Sequence, residues 1–289
     1  MNQIIVDNKS YDVPGAWNEL DRTQLIQITK TLHSIDHPDK QILRVVSALL
    51  KVRSRIWLAY ILGLKLKGDE KIDTLADLRY LSQWVFTSEV DLTKQLIKNI
   101  RINWLKPSWT LYGPPDGCKK LCFMEFIKAE TYFLNFRFNP FNKAVRTTAL
   151  NNLVATLYRP KKTHMDLTKF NGDIRQEYND DLIDYLAEKY TAKISFEIKL
   201  SIALFYEGCR KQREKQFPNI FKKVSSSNES KPEPPNTSAW IDALRDMAGG
   251  ALKMEELGKT DVDIVLFDLN KRIIEAKELK SKTSSRRRS

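Results

Sequence analysis

Apolar residues recur every three or four positions along most of this chain, and this spacing limits the fold more than any other feature. Leu25, Ile28 and Leu32 follow it near the start, and Ile198 and Ile202 follow it far downstream. Residues spaced in this way share one face of a helix, whereas a half-buried strand would alternate apolar and polar residues. The sequence therefore predicts a mainly α protein whose body is a helical bundle.

Prolines mark several boundaries of the predicted helices. Pro38 stands where a proline is favoured in the first turn of a helix, and Pro160 stops a later apolar helix. Between such signals, the periodic apolar residues define the length of each helix. The helical segments predicted in this way are 22–32, 38–50, 75–85, 123–134, 150–158, 180–190 and 196–206.

The N-terminus has a different pattern. Two short runs of strand-forming residues flank Asp7-Asn8-Lys9, and Pro14 and Gly15 follow the second run. Asn and Asp tolerate the left-handed backbone of a tight turn, so the segment predicts a short β-hairpin. Two further segments leave their element type open. The run 56–64 is apolar on nearly all sides and fits a central helix or a buried strand, and 103–120 fits a long loop or a short strand pair.

A change of composition near residue 224 predicts a domain boundary. Residues 224–236 form a Ser/Pro-rich linker with almost no apolar content, after an N-terminal hairpin and helical body at 1–223. Residues 237–280 then predict a C-terminal helix pair, with Gly249-Gly250 ending its first helix, and 281–289 a disordered basic tail. A helix pair this small can hardly bury its own apolar faces. We therefore expect it to dock on the body, on a second copy or on a partner.

Composition also bears on location and partners. The longest strongly apolar stretch is too short to cross a bilayer, and the N-terminus lacks the features of a secretory signal, so we expect a cytoplasmic protein without membrane contact. Three cysteines do not suggest a disulfide framework. A net charge of +12 favours polyanionic partners, either nucleic acid or an acidic protein surface, although charge dispersed along a chain is usually solvated.

The sequence shows no phosphate-binding loop, dinucleotide turn or serine elbow, and we expect neither an enzyme nor a cofactor. His33 and His37 have a spacing that can chelate a metal, but Pro38 predicts a helix boundary beside them. Cys118 and Cys122 could form half of a zinc site, yet incidental or buried thiols are the more ordinary interpretation.

Two other groups allow a chemical and a structural interpretation. Asp180 and Asp181 could bind a divalent metal, but they also lie where a helix N-terminus favours negative charge. A set of aromatic residues could stack on single-stranded nucleic acid, although its helical spacing favours the core. That set is Tyr132, Phe133, Phe136, Phe138 and Phe141.

Four segments together resemble proteins encoded among the tail-morphogenesis genes of phages and prophages of Bacteroidetes-type bacteria. The segments are 11–14 together with 17–20, then 153–160, 172–175 and 205–210. The C-terminal Trp240-Ile241-Asp242-Ala243-Leu244 with Met247-Ala248-Gly249-Gly250 is similar to the ends of tail assembly chaperones, which coat the tape-measure protein before the tube polymerises. The resemblance implies a tail assembly or tail-associated structural protein, acting in the bacterial cytoplasm or in the virion, whose partners are tape-measure or tube proteins.

A chaperone of a long amphipathic helix needs apolar grooves on a helical scaffold. The expected docking face lies on the C-terminal helix pair and consists of Trp240, Leu244, Val262, Leu266 and Leu269. Two alternatives stay open. One is a nucleic-acid-binding protein that uses the net positive charge, and the other is a metal-dependent enzyme that uses Asp180/Asp181 or Cys118/Cys122.

Overall fold

The computed structural model describes residues 2–6, 9–51, 69–102, 110–164, 172–221 and 238–286. The chain is mainly α, as predicted. It divides into two compact units, each built from separate stretches of sequence. The first unit comprises Met1–Ile97 and Ser195–Gly208, and the second comprises Lys98–Ile194 and Cys209–Ser289.

The first unit begins with the predicted hairpin. Strands β1 (Asn2–Val6) and β2 (Lys9–Val13) pair antiparallel, with Val6 opposite Lys9. A short 3-10 turn at Trp17–Glu19 follows, and the Trp17 side chain is buried. The predicted hairpin is confirmed by the antiparallel pairing of its two strands.

Among the described residues up to Ile97, the hairpin is followed by the helices α1 (Arg22–Leu32), α2 (Pro38–Leu49) and α3 (Asp69–Thr87). The start of α1 is fixed by a capping box, in which Gln24 N donates to Asp21 Oδ1 at 2.8 Å and Asp21 N donates to Gln24 Oε1 at 2.9 Å. The predicted bounds of α1 are confirmed. The apolar faces of α1 and α2 lie in the core of this unit, because their periodic residues are those that are buried.

The second unit combines a small sheet with helices. Strands β3 (Asn99–Arg101), β4 (Thr110–Tyr112) and β5 (Arg159–Pro160) form an antiparallel sheet in that order. Helices α4 (Phe123–Phe138) and α5 (Lys143–Leu157) pack together, and α6 (Asp180–Lys189) packs on α5. Helix α7 (Phe196–Gln216) begins in the first unit and continues in the second.

The C-terminal region contains three helices instead of the predicted pair. These are α8 (Ser238–Ala248), α9 (Ala251–Lys259) and α10 (Val262–Arg286). Gly249 and Gly250 have φ values of 66° and 156° and end α8 at Ala248, as predicted, and a further helix starts directly after them at Ala251. Helix α10 also extends to Arg286. Residues 281–286, predicted as part of a disordered tail, are helical because the segment after Val262 contains no Pro or Gly to stop it.

Some predictions fall on residues that the structure does not describe. The apolar run 56–64 lies outside the described residues, as do the Ser/Pro-rich linker 224–236 and the tail residues 287–289. Within the described ranges, none of the helices combines the length and apolar composition that a bilayer crossing requires.

Candidate functional site

The docking face predicted on the C-terminal helices lies inside the second unit. Leu244, Val262 and Leu266 are fully buried, and Trp240 and Leu269 are half-buried. Of the three ways in which the C-terminal helices were expected to cover this face, the structure shows docking on the rest of the chain. As folded here, the face is already used within the molecule.

Trp240 holds α8 against α4 through aromatic contacts. Its ring centroid lies 5.1 Å from that of Phe126 and 6.2 Å from that of Phe123, both in edge-to-face geometry. Phe221 precedes the undescribed segment 222–237 in the sequence, and its ring centroid lies 5.6 Å from that of Trp240. Such aromatic pairs stabilise a fold beyond the area they bury.

The start of α10 is anchored by polar contacts. Phe123 N donates to Thr260 O and Val262 N donates to Leu121 O, both at 2.9 Å. The buried Arg213 side chain of α7 donates from Nε to Asp263 Oδ1 at 2.9 Å. These contacts fix which side of α10 faces the other helices of the second unit.

The opposite side of α10 carries apolar residues in solvent. Ile264 is 64% exposed, Phe267 is 67% exposed and Ile274 is 38% exposed. We call these three residues the outer face of α10. They recur at positions i, i+3 and i+10, which are the a and d positions of a heptad, and Lys271 and Glu278 continue the same row. Burial of Val262, Val265 and Leu266 on the packed side confirms that the outer face points away from the core.

The distal half of α10 is basic. Residues 270–286 contain six Lys or Arg residues and two Glu residues. Lys271, Arg272, Lys277 and Lys280 are all exposed. Leu279, on the same half, is 66% exposed. The distal half of α10 therefore combines exposed apolar residues with an excess of basic ones.

The second unit also contains a cavity of about 620 Å³. Its wall holds a buried charge network in which Glu125 Oε1 lies 2.7 Å from Arg175 Nη1 and 2.8 Å from Arg159 Nη1. Asp173 accepts from Arg175 Nε and Nη2, each at 2.9 Å. The two arginines and Glu125 are at most 2% exposed.

Arg175 uses all five of its N–H donors within the protein. Besides the two carboxylates, its guanidinium donates to the carbonyl oxygens of Leu157 at 2.8 Å and Lys120 at 3.4 Å. Burial alone would lower the pKa of Arg175, but Glu125 and Asp173 raise it above its ordinary value. The network is neutral and closed on itself, so Arg175 has no donor left for an anionic ligand.

Cys122 and Tyr178 line the same cavity. Burial raises the pKa of the Cys122 thiol to about 11, and the nearby Glu125 carboxylate adds to the effect. The thiol is therefore protonated at neutral pH and is a poor nucleophile. Burial also raises the pKa of Tyr178, whose hydroxyl donates to Asp180 Oδ1 at 2.5 Å. Neither group is poised for acid–base or nucleophilic chemistry near neutrality.

The residues considered as metal ligands lie at the ends of helices. Asp180 and Asp181 occupy the first turn of α6, where Asn179 caps the helix by accepting from Leu182 N at 3.0 Å. His33 follows the end of α1 and His37 precedes the start of α2, so the two do not share a helix face. Within the described residues, no group of three or more His, Cys, Asp or Glu side chains is placed to hold a metal ion.

The cysteines and the residues of the aromatic set are also not arranged as a binding site. Cys118 is buried and its thiol hydrogen-bonds with that of Cys209, which is buried beside it. In the aromatic set, Phe133 and Phe136 are core residues, whereas Phe138 and Phe141 are exposed. The set therefore does not form one continuous stacking surface.

Two features of this region were not predicted from the sequence. The outer face of α10 has a/d spacing, but the prediction placed the docking face on the larger apolar row on the other side of the same helix. The charge network had no sequence signal, since its members lie as far apart as Glu125 and Arg175. Comparison with protein-family models, with curated proteins and with solved structures gave no significant match.

Proposed function

We propose that this protein is a phage-derived tail assembly or tail-associated structural protein that binds a helix of a tail protein through the outer face of α10. The partner is a tape-measure or tube protein, met in the cytoplasm of the bacterial host or retained in the virion. The resemblance of the C-terminal segment 240–250 to the ends of tail assembly chaperones supports the tail assignment.

The observation that carries the proposal is the exposure of Ile264 and Phe267. Both residues are about two-thirds exposed on a helix whose opposite face is already packed. An apolar row with helical spacing on the surface of a helix is the usual contact for a second helix. The proposed contact thus replaces the predicted face formed by Trp240, Leu244, Val262, Leu266 and Leu269.

The cavity supports a binding role over an enzymatic one. Its most buried charged groups satisfy one another, and burial keeps the Cys122 thiol protonated at neutral pH. The charge network stabilises the second unit, and the protonated Cys122 thiol is not an activated nucleophile.

A pull-down from the host that carries the gene tests the proposal. The tagged full-length protein is compared with the double variant Ile264→Ser/Phe267→Ser, at moderate salt and with nuclease added, and retained proteins are identified by mass spectrometry. We expect the unaltered protein to retain a long helical tape-measure or a tube protein, and the double variant to lose it.

Phe141→Ser is the matched control, because Phe141 is 99% exposed but lies between α4 and α5. This variant should retain the tail protein. Equal retention of that protein by the double variant would rule out the outer face. Recovery of nucleic acid alone, lost on nuclease treatment, would favour the alternative of a nucleic-acid-binding protein that uses the net positive charge.

A further inference from the structure

We propose that the turn between α4 and α5 binds single-stranded nucleic acid, through stacking of bases on exposed phenyl rings and contact of phosphates with basic side chains. The rings are those of Phe138 and Phe141, and the basic side chains are those of Lys143 and Arg146. This surface is separate from the outer face of α10, and the proposal is independent of the tail assignment. Three observations carry it: the exposure of the two rings, a positive charge without acidic neighbours in the chain, and a turn that hydrogen bonds hold in place.

The two rings are the exposed members of the aromatic set. Phe141 is 99% exposed, and Phe138, the last residue of α4, is 41% exposed. Phe141 directly precedes Asn142, the N-cap of α5, where an apolar residue ordinarily packs against the fourth residue of the helix. That residue is Arg146, whose guanidinium instead lies over the ring of Phe136, 4.9 Å from its centroid. The ring of Phe141 is therefore available to a partner.

The charge of the turn selects an anionic partner. Residues 135–148 contain three Lys or Arg residues, and the sequence has no acidic residue between Glu130 and Asp166. Lys143 is exposed, Arg146 is half-buried, and neither forms an ion pair with a carboxylate in the part of the chain that the structure describes. Their charges can therefore pair with phosphates without breaking an existing ion pair.

Hydrogen bonds hold the turn on both sides of Phe141. Asn142 Oδ1 accepts from Val145 N at 3.1 Å and caps α5. Arg146 Nη1 donates to Pro140 O at 3.3 Å and ties the other side of the turn to the same helix. The ring and the basic side chains are thus presented by a preformed turn, so binding requires little ordering of the protein.

Single-stranded nucleic acid combines the two groups that this surface can bind. Its bases expose faces that stack on aromatic rings, and its phosphates attract Lys and Arg, largely regardless of base sequence. In a duplex those faces are stacked on one another, so only the phosphates remain for the turn. An anionic bilayer would also attract the charges, but insertion of the rings would remove the amides of Asn139 and Asn142 from water, which costs free energy. The surface therefore favours a single strand.

Binding of fluorescein-labelled oligothymidine to the purified full-length protein tests the proposal. The strand has about 20 nucleotides, and fluorescence anisotropy compares it with the duplex that it forms with oligoadenine. We expect Phe141→Ser to weaken binding of the single strand by about fivefold or more and to leave binding of the duplex unchanged. Phe141→Tyr keeps an aromatic face and should bind the strand as the unaltered protein does. Because Phe141 is exposed, both variants should unfold at the same urea concentration as the unaltered protein.

A charge variant tests the phosphate contact. Lys143→Gln should lower the slope of log affinity against log salt concentration by about 0.7, the value for one phosphate contact with a single strand. Lys253→Gln is the matched control, because Lys253 is exposed on α9 and its loss changes the net charge equally. This control should keep the slope, and Ile264→Ser/Phe267→Ser should keep both the slope and the affinity.

Several outcomes would overturn the proposal. Absence of binding at low salt would do so, as would binding of the strand by Phe141→Ser with the affinity of the unaltered protein. Equal weakening by Phe141→Tyr and Phe141→Ser would show that the ring does not stack. Binding to vesicles that contain phosphatidylserine, lost in Phe141→Ser and without binding of oligothymidine, would replace nucleic acid with a membrane surface.

Discussion

Gly208 lies in α7 directly against the backbone of Leu92. A Cβ atom built on Gly208 would be 2.2 Å from Leu92 O and 2.6 Å from Leu92 N, closer than non-bonded atoms can approach. Gly258, near the end of α9, has ordinary space instead, because its added Cβ would meet only the Met124 side chain at 3.5 Å. The two glycines provide a matched pair of helical positions.

Alanine substitution should therefore have opposite effects at these positions. Gly208→Ala should lower the free energy of unfolding by about 1–3 kcal/mol or more, because the helix or the Leu92 backbone must move. Gly258→Ala should raise it by up to about 1 kcal/mol, since alanine is the better helix former. Urea unfolding followed by circular dichroism measures both. Stabilisation by Gly208→Ala would show that the close approach to Leu92 is not present in solution.

Glu125 is the carboxylate shared by Arg159 and Arg175 in the charge network. Glu125→Gln keeps the shape of the side chain but leaves two buried guanidinium groups with only Asp173 as a counter-charge. Removing one partner from a buried ion pair costs about 3–5 kcal/mol, because the remaining charge is left uncompensated. We expect a loss of stability of that size in urea unfolding.

The control for Glu125 is Glu255→Gln at the rim of the same cavity. Glu255 pairs with Lys259 at 2.6 Å, but its side chain is 77% exposed, and pairs of this kind contribute little. We expect no clear shift of the urea midpoint. Similar effects of the two substitutions would contradict a structural role for the buried network.

Asp180 gives the stability of α6 a dependence on pH. Burial would raise its pKa, but the hydrogen bond from Tyr178 and the Lys128 ammonium at 3.1 Å lower it below the ordinary value of 3.8. Because the folded pKa is the lower one, the stabilisation is present above pH 3.8 and is lost as pH falls through the folded pKa. Asp180→Asn should remove this part of the acid sensitivity.

The measurement is the urea midpoint at pH 7 and at pH 3. The unaltered protein should lose more stability between these values than Asp180→Asn does. Asp181→Asn, in the same helical turn, removes an equal charge without touching the Tyr178 and Lys128 contacts, so its pH dependence should stay close to that of the unaltered protein. An Asp180→Asn profile parallel to that of the unaltered protein would exclude the predicted linkage.

At the scale of elements, predictions that depend on local sequence signals were correct. Predictions of which helix face packs against the rest of the chain were not. The periodic apolar residues predicted α1 with its observed bounds, and the Asp7-Asn8-Lys9 sequence predicted the hairpin. The Gly249-Gly250 pair predicted the end of α8 correctly, but it gave no sign that a further helix, α9, starts directly after it. The packed and outer faces of α10 both have helical spacing, and contacts from distant parts of the chain, such as Arg213 with Asp263, determine which one is buried.

The candidate site was also predictable only in part. Sequence periodicity identified the C-terminal helices as carriers of an apolar docking face. It could not show that α4 and α7 already cover one side of them, since that depends on contacts such as Arg213 with Asp263, which lie 50 residues apart. The outer face of α10 can be identified once its packed side is known.

At the scale of the whole molecule, the second unit depends on residues after the undescribed segment 222–237. Leu244, Val262, Val265 and Leu266 are buried there. Full burial of such a side chain contributes about 1.5–3 kcal/mol before the entropy cost of ordering the helices is subtracted, so losing all four should destabilise this unit. The C-terminal helices are thus part of the core of this unit.

A chain that ends at Phe221 should therefore lose the cooperative unfolding transition of the second unit. The truncation exposes the rings of Phe123 and Phe126 and leaves the buried Arg213 without Asp263. Hydrogen exchange of α4, read by mass spectrometry, should become fast in the truncated chain and stay slow in the intact one. Slow exchange of α4 after truncation would show that the C-terminal helices are dispensable for this core.

Cleavage of the intact chain tests whether packing contacts or the covalent connection through 222–237 keep the C-terminal helices in place. A protease site introduced into 222–237 allows the segment to be cut after folding. Phe221 and Trp240 have ring centroids 5.6 Å apart, so the two ends of the segment are held together by packing as well as by the chain. The cut protein should elute as one species in gel filtration and keep slow exchange in α4. Separation of the fragments would mean that the chain connection, and not the buried face of α8 and α10, keeps the C-terminal helices in place.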